Sequence, residues 1–243
     1  MQRKMLGEVV LLRIVFCLMI VMYHALCPYG IWKEQVAGIG YVSAYESFAR
    51  GLAVLHIPGF VFISGYLFGY VAKFKTDALE LRQCIFKKAR RLLIPSVLFS
   101  AVYLCLYAPR PVSCSNFLYE TVNGYAHMWF LPMLFWCFVL TCILTRFRLS
   151  ERVNVVTAFC FVSAILPWPS LPLQINQSPH YYFFFFLGFG LQYGYFPFLK
   201  PFRASNRRIA CGLCVTAVAF VLSSLSTRLI DMPDNVEMCT VGG

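Results

Sequence analysis

Seven long apolar blocks follow one another along the chain, separated by short polar segments. They cover residues of about 8–27, 51–72, 92–108, 126–145, 153–169, 181–199 and 209–229. At roughly 1.5 Å per helical residue, blocks of about 17 to 22 residues span a hydrocarbon core of about 30 Å. The pattern predicts an all-α, membrane-embedded bundle of about seven transmembrane helices that forms one domain over residues 1–243.

Composition supports this interpretation, because 60% of the residues are hydrophobic and only 13% are charged, proportions that are foreign to soluble domains. A cleaved signal peptide is the alternative for the first block, since "MQRK" precedes it. The block is longer than a typical signal core and contains a charge, which favours a retained span.

Loops that are rich in lysine and arginine alternate along the chain with loops that contain few of these residues. With the N-terminus inside, inner segments hold 16 of these residues and outer segments hold four. Cytoplasmic loops are enriched in such residues, so we predict a cytoplasmic N-terminus in a multi-pass protein of the cell membrane. The net charge of +11 then reflects topology and attraction to anionic lipids, and no nucleic-acid partner is expected.

Two polar residues interrupt the first block, in the stretch "RIVFCLMIVMYH" from Arg13 to His24. Eleven helical steps bring the two side chains within about 20° of one stripe, roughly 16 Å apart along the axis. Ionisable groups within spans usually face a bundle interior or a wet cavity. The alternative is that Arg13 snorkels to the inner headgroups while His24 lies in the outer interface.

The remaining histidines fall at the same predicted outer level as His24. They are His56, His127 and His180, and together with Trp129 they mark a possible outer-side site. Histidine suits proton transfer near neutral pH, and His24 is our candidate for a general base. Four histidines on separate helices have no spacing typical of a metal site, so no metal is expected.

No carboxylate is an evident partner for His24. The outer-side candidates are Glu34, Glu46 and Glu120, and each is also explained as a solvated loop charge. Two glycine pairs, Gly65 with Gly69 and Gly190 with Gly194, have the spacing that lets helices approach closely.

Five stretches in order resemble the membrane-bound acyltransferase 3 family, whose members include O-acetylases of surface polysaccharides. The Arg-x10-His pair is the first. The others are "IPGFVFISGYLFGY", "KKARRLLIP", "HMWFLPMLFW" and "YYFFFFLGFGL", and together they cover about residues 8–200.

The resemblance implies transfer of an acyl group, usually acetyl, from cytoplasmic acyl-CoA to a glycan hydroxyl at the outer face. It implies a catalytic role for His24 and donor binding by Arg13, with acyl-CoA as a co-substrate and no bound cofactor. The phosphates of CoA would lie on Arg13 and on the basic segment Lys87, Lys88, Arg90 and Arg91.

The chain departs from the family in one respect, because such domains usually have about ten spans and seven are predicted here. It is therefore expected to be a C-terminally short member, and an inactive truncated enzyme is one alternative. A translocase of polysaccharide or lipid-linked glycan is another. A seven-helix receptor places its N-terminus outside, contrary to the charge distribution.

Overall fold

The computed structural model describes residues 2–32, 38, 40–74, 80–107, 113–166 and 168–195, and within these ranges all regular structure is helical. This confirms the predicted all-α class. The helices are α1 (Gln2–Leu26), α2 (Ser43–Phe74), α3 (Leu81–Lys88), α4 (Ile94–Tyr107), α5 (Cys114–Asn123), α6 (Phe130–Arg146), α7 (Val153–Ile165) and α8 (Ser178–Tyr193).

Four stretches of the described residues are long and apolar enough to cross a membrane. They are Val9–Tyr29, Ser43–Phe74, Leu81–Leu106 and Ala126–Arg146, which correspond to the first four predicted blocks. The fifth and sixth blocks correspond to α7 and α8, which have 13 and 16 residues and are short for a full span. The seventh block, 209–229, lies outside the described residues.

The chain divides into two compact units, of which the first comprises Met1–Ile63 and Pro197–Gly243. In its described part, α1 and the beginning of α2 are held together by aromatic packing. Phe16 occupies the space above Gly59, where a Cβ would collide with its ring, and it also contacts the Phe60 ring at 5.8 Å between centroids. Gly59 follows Pro58 inside α2, so this contact lies where a proline has already removed one helix hydrogen bond.

The second unit comprises Ser64–Phe196 and contains a core of aromatic side chains. Phe68, Phe138 and Phe185 meet edge to face or tilted, with the Phe68–Phe138 and Phe138–Phe185 centroids 5.0 and 4.8 Å apart. Around this core α3 packs on α6, α4 on α5, and α8 on both α6 and α7. The aromatic run that begins α8 is therefore a packing surface, with Tyr182 and Phe189 fully buried.

The two glycine pairs have different roles. The first is confirmed as a close approach, because a Cβ on Gly65 would collide with the carbonyl of Phe185, and a Cβ on Gly69 would lie 2.6 Å from that of Phe189. In the second pair, Gly194 ends α8 in the left-handed conformation at φ 109°. No described residue lies within 4 Å of a Cβ placed there, so no helix of the described part of the chain approaches closely at Gly194.

Candidate active site

Arg13 and His24 both lie in α1, so the predicted stripe exists as a helical face of the first unit. Over eleven residues of regular helix the two positions share one side, with Arg13 nearer the N-terminus. The Arg13 side chain is exposed, and it forms no ion pair with any described residue. An exposed guanidinium can bind a donor phosphate or snorkel to the headgroups, and donor binding by Arg13 stays a prediction.

A backbone carbonyl orients the His24 ring, since Nδ1 lies 2.8 Å from the carbonyl oxygen of Ile20. A carbonyl oxygen only accepts, so Nδ1 must carry the hydrogen, and in the neutral ring the lone pair is then on Nε2. In this tautomer the basic nitrogen, Nε2, lies on the side of the ring that is remote from its own helix. A general base needs its lone pair there, where a substrate can approach.

His24 lies among aromatic rings of the same unit. The Tyr23 ring meets His24 edge-on at 4.9 Å and the His56 ring at 5.1 Å, so it links the two histidines. His56 is buried and donates from Nδ1 to the carbonyl of Leu52 at 2.7 Å. The structure therefore brings two of the predicted histidines together, both with Nδ1 bonded to their own helix.

Trp32 completes this group, with its ring 5.7 Å from that of His24. A tight turn at Cys27–Tyr29 follows α1, and the Trp32 amide donates to the carbonyl of Cys27 at 2.8 Å. The turn thus folds the chain back over the end of α1. Sequence reasoning missed both contacts. Only the reversal after α1 brings Trp32 to His24, and only the packing of α1 against α2 brings Tyr23 to His56.

His127 and Trp129 belong to the second unit, in a one-turn 3-10 segment, Ala126–Trp129, that precedes α6. His127 is exposed and meets Tyr103 edge-on at 6.1 Å, whereas Trp129 is half-buried against Tyr181 at 5.9 Å. His180, the remaining histidine, lies in the first turn of α8. Their predicted role in an outer-side site stays a prediction.

Two hydroxyl groups of α4 form hydrogen bonds with the backbone of the turn that carries His127 and Trp129. The Ser100 hydroxyl accepts from the Tyr125 amide at 3.0 Å, and the Ser96 hydroxyl donates to the Met128 carbonyl at 3.2 Å. Gly124 begins the turn at φ 87°, and a Cβ there would lie 2.7 Å from the Met128 backbone. Only glycine fits this position without displacing the turn.

The basic segment includes a wide helical turn, Ala89–Leu93, between α3 and α4. Such π turns are rare, and this one ends two residues before Pro95, whose ring would crowd the carbonyl of Arg91 in a regular helix. The side chains of Arg90 and Arg91 are exposed there, as is that of Lys87.

Lys88 differs from the other three basic residues. Its ammonium nitrogen lies 3.5 Å from the centroid of the Phe138 ring and 5.1 Å from that of Phe68, a cation–π geometry. Lys87, by contrast, donates to the exposed Gln83 side chain at 2.8 Å. The structure thus presents Lys87, Arg90 and Arg91 outward and directs Lys88 into the helix bundle.

The three candidate carboxylates have different surroundings. Glu46 forms an ion pair with Arg50 at 2.7 Å, and burial raises the pKa of the Glu120 carboxyl. Glu34 lies outside the described residues. Since the Ile20 carbonyl occupies Nδ1 of His24, that ring position needs no carboxylate to orient it.

The family described as "Acyltransferase domain" matches residues 7–241, which is nearly the whole chain. The matched region includes most of α1 with Arg13 and His24, the basic segment and the turn with His127 and Trp129. No curated protein and no solved structure gives a significant match.

Proposed function

Because the chain belongs to the acyltransferase 3 family, we propose that it transfers an acyl group, usually acetyl in this family, from cytoplasmic acyl-CoA to a hydroxyl of a surface glycan. The observation that carries the proposal is the His24 ring. Its Nδ1–H is fixed on the Ile20 carbonyl, so that Nε2 is the basic atom, and the same helical face carries Arg13.

In the proposed reaction, Nε2 of His24 takes the proton of the acceptor hydroxyl as its oxygen attacks the thioester carbonyl. The new C–O bond forms, the C–S bond breaks, and the CoA thiolate leaves. The imidazolium of His24 then returns its proton to this thiolate, which regenerates the neutral base. General-base assistance of this kind contributes typically about 10² to 10⁴ in rate.

Donor binding is proposed for cations of each unit, taken separately. In the first unit, Arg13 offers a planar fork suited to phosphate. In the second unit, the exposed Lys87, Arg90 and Arg91 side chains offer positive charge to the phosphates of CoA. Lys88 has a different proposed role, because its ammonium lies on the Phe138 ring. It attaches the basic segment to the aromatic core.

The proposal is tested by expressing the full chain in a host that lacks the activity. Mass spectrometry of the surface glycans should then show an added acyl mass that disappears in the His24→Ala variant. Export of glycan without consumption of acyl-CoA would instead identify a translocase. Well-inserted protein with neither activity would overturn the proposed function and favour an inactive member of the family.

Orientation is tested with a reporter that is active only outside the cytoplasm. We expect it to be inactive when fused after Arg91 and active when fused after Ser113, because the third predicted span lies between these positions. The reverse pattern would place His24 on the cytoplasmic side and contradict the proposed direction of transfer.

The basic segment gives a further prediction. Replacing Lys87, Arg90 and Arg91 with glutamine is expected to raise the KM for acyl-CoA roughly tenfold and to weaken its dependence on salt, because exposed phosphate contacts are screened by ions. Lys88→Gln should chiefly lower the melting temperature through loss of the cation–π contact.

Arg146→Gln is the matched control for this prediction, since Arg146 is an exposed cation at the end of α6. Protease mapping of each variant establishes that its topology is retained. An unchanged KM in a correctly inserted triple variant would show that the segment determines topology only.

A further inference from the structure

Three helices of the second unit end at one common level. A Cβ on Gly69 of α2 would collide with the Phe189 carbonyl of α8, and both helices end about one turn after this contact. Just beyond the ends of α6 and α8, the Ser150 and Tyr195 hydroxyls meet at 2.8 Å. The level carries three exposed cations, Lys73, Arg146 and Arg148. We call it the inner level, because the charge distribution predicts that it faces the cytoplasm.

The basic segment lies far above the inner level, in the helical stretch Leu81–Leu106 that is itself long and apolar enough to span a membrane. This stretch runs antiparallel to α6, since Sγ of Cys84 lies 3.9 Å from the Phe138 carbonyl and the Ser96 hydroxyl donates to the Met128 carbonyl. The position midway between these contacts is that of the basic segment, and it lies opposite the middle of the span that contains α6. At roughly 1.5 Å per residue, this is about 15 to 20 Å above the inner level.

Two cations at this depth lack a partner within the described part of the chain. The Arg90 and Arg91 side chains are exposed and form no ion pair with a described residue, whereas Lys88 lies on the Phe138 ring. Helical side chains lean toward the N-terminus of their helix, here the inner end, but an extended arginine covers less than half of the distance to the inner level. Ionisable groups within a span almost always face a bundle interior or a water-filled cavity.

The helix itself is irregular at the same two residues. The π turn Ala89–Leu93 contains both arginines, and π turns inside helices occur frequently at functional sites. This observation is independent of the depth of the arginines. Both observations single out the same face of the α3–α4 stretch.

We propose that this face lines a water-filled vestibule that opens at the inner level and extends to about the middle of the membrane, where Arg90 and Arg91 bind the phosphates of the acyl-CoA donor. Two guanidinium groups on adjacent residues offer paired, charge-assisted hydrogen bonds to phosphate oxygens. Phosphates that enter to this depth bring the thioester closer to the outer side than a donor held at the membrane surface. The inference rests on the proposed function for the identity of the ligand as acyl-CoA.

Water access is tested with a charged, membrane-impermeant methanethiosulfonate reagent, applied to the full chain in phosphatidylcholine nanodiscs. Arg91→Cys is expected to react within about tenfold of the rate of Arg146→Cys at the inner level, because only a thiol in contact with water ionises to the reactive thiolate. Arg90→Cys is a second variant with the same expected result. Tandem mass spectrometry locates the label, so the native cysteines stay in place.

Ile85→Cys is the matched control, since Ile85 is 39% exposed and lies nearer the inner level than Arg91. Six helical steps separate the two residues and place them on different faces, at least about 120° apart. We expect Ile85→Cys to remain unlabelled in the lipid. Equal reaction at Ile85 and Arg91 would mean that the bilayer is thinned around the whole helix, and unreactive arginine positions in well-inserted protein would mean that no water reaches them. Either result overturns the vestibule.

The source of the phosphate is tested with desulfo-CoA, which has no thiol to consume the reagent. At saturation it should slow the labelling of Arg91→Cys at least about tenfold, because its bound phosphates occupy the site, and it should leave Arg146→Cys unchanged. Protection by added phosphatidylglycerol instead would assign the site to lipid headgroups. Protection by neither compound would show that the vestibule holds no phosphate. Both of these results overturn the donor site.

This inference and the proposed function fail separately. Labelling of Arg91→Cys that desulfo-CoA blocks, without any acyl transfer in the mass-spectrometric experiment, would remove the proposed function and retain the vestibule. Acyl transfer by a protein in which both arginine positions are unreactive would retain the function and remove the vestibule.

Discussion

His24→Ala is expected to lower kcat by a factor on the order of 10² to 10⁴ while donor binding stays nearly intact. The physical reason is that a proton acceptor acts in the transition state, whereas ground-state contacts to acyl-CoA come from other residues. The measurement is steady-state transfer to the glycan acceptor, with acyl-CoA affinity determined separately by equilibrium binding.

Tyr23→Phe is the matched control for His24, because it keeps the ring that contacts both histidines and removes only a hydroxyl. Each variant must insert at the level of the unchanged protein. Full turnover by His24→Ala would refute the catalytic role, and an equal loss in Tyr23→Phe would assign the chemistry to the neighbouring hydroxyl.

Arg13→Ala is expected to raise the KM for acyl-CoA by roughly 10- to 100-fold, the effect of losing charge-assisted hydrogen bonds to phosphate or to the thioester. Arg13→Lys should restore part of the affinity, since lysine keeps the charge but loses the planar fork. The Arg13 side chain is exposed and unpaired within the described residues, so its removal breaks no internal ion pair.

Arg146→Ala controls for the loss of an exposed cation elsewhere in the protein. If Arg13→Ala inserts normally and binds acyl-CoA as tightly as the unchanged chain, Arg13 only snorkels to the headgroups. The Arg-x10-His spacing would then reflect where each side chain meets the membrane surface.

Helix ends were harder to predict than apolar blocks, for a physical reason. Hydropathy predicts the second block at 51–72, whereas α2 begins at Ser43. The additional first turns are polar and carry the Glu46–Arg50 ion pair, so they do not belong to the apolar block. Hydropathy reports which residues fit a lipid core, whereas a helix continues for as long as its backbone hydrogen bonds do. The short helix α5, capped by the Ser113 side chain, went unpredicted because it is too short and polar to form a span.

The linear sequence by itself determined the all-α class, the membrane setting and the Arg13–His24 face, because these depend on composition and on the period of one helix. It also placed the basic segment before the third apolar block. None of these inferences requires knowledge of which helices are neighbours.

Only the tertiary structure decided what surrounds each candidate residue. The reversal after α1 brings Trp32 to His24, and the packing of α2 brings His56 to Tyr23. Lys88 contacts the Phe138 ring of the aromatic core, whereas Lys87, the preceding residue, is exposed. Contacts of this kind join residues that are far apart in the chain. Close packing between helices determines which residues meet, and no local periodicity of the sequence encodes that packing.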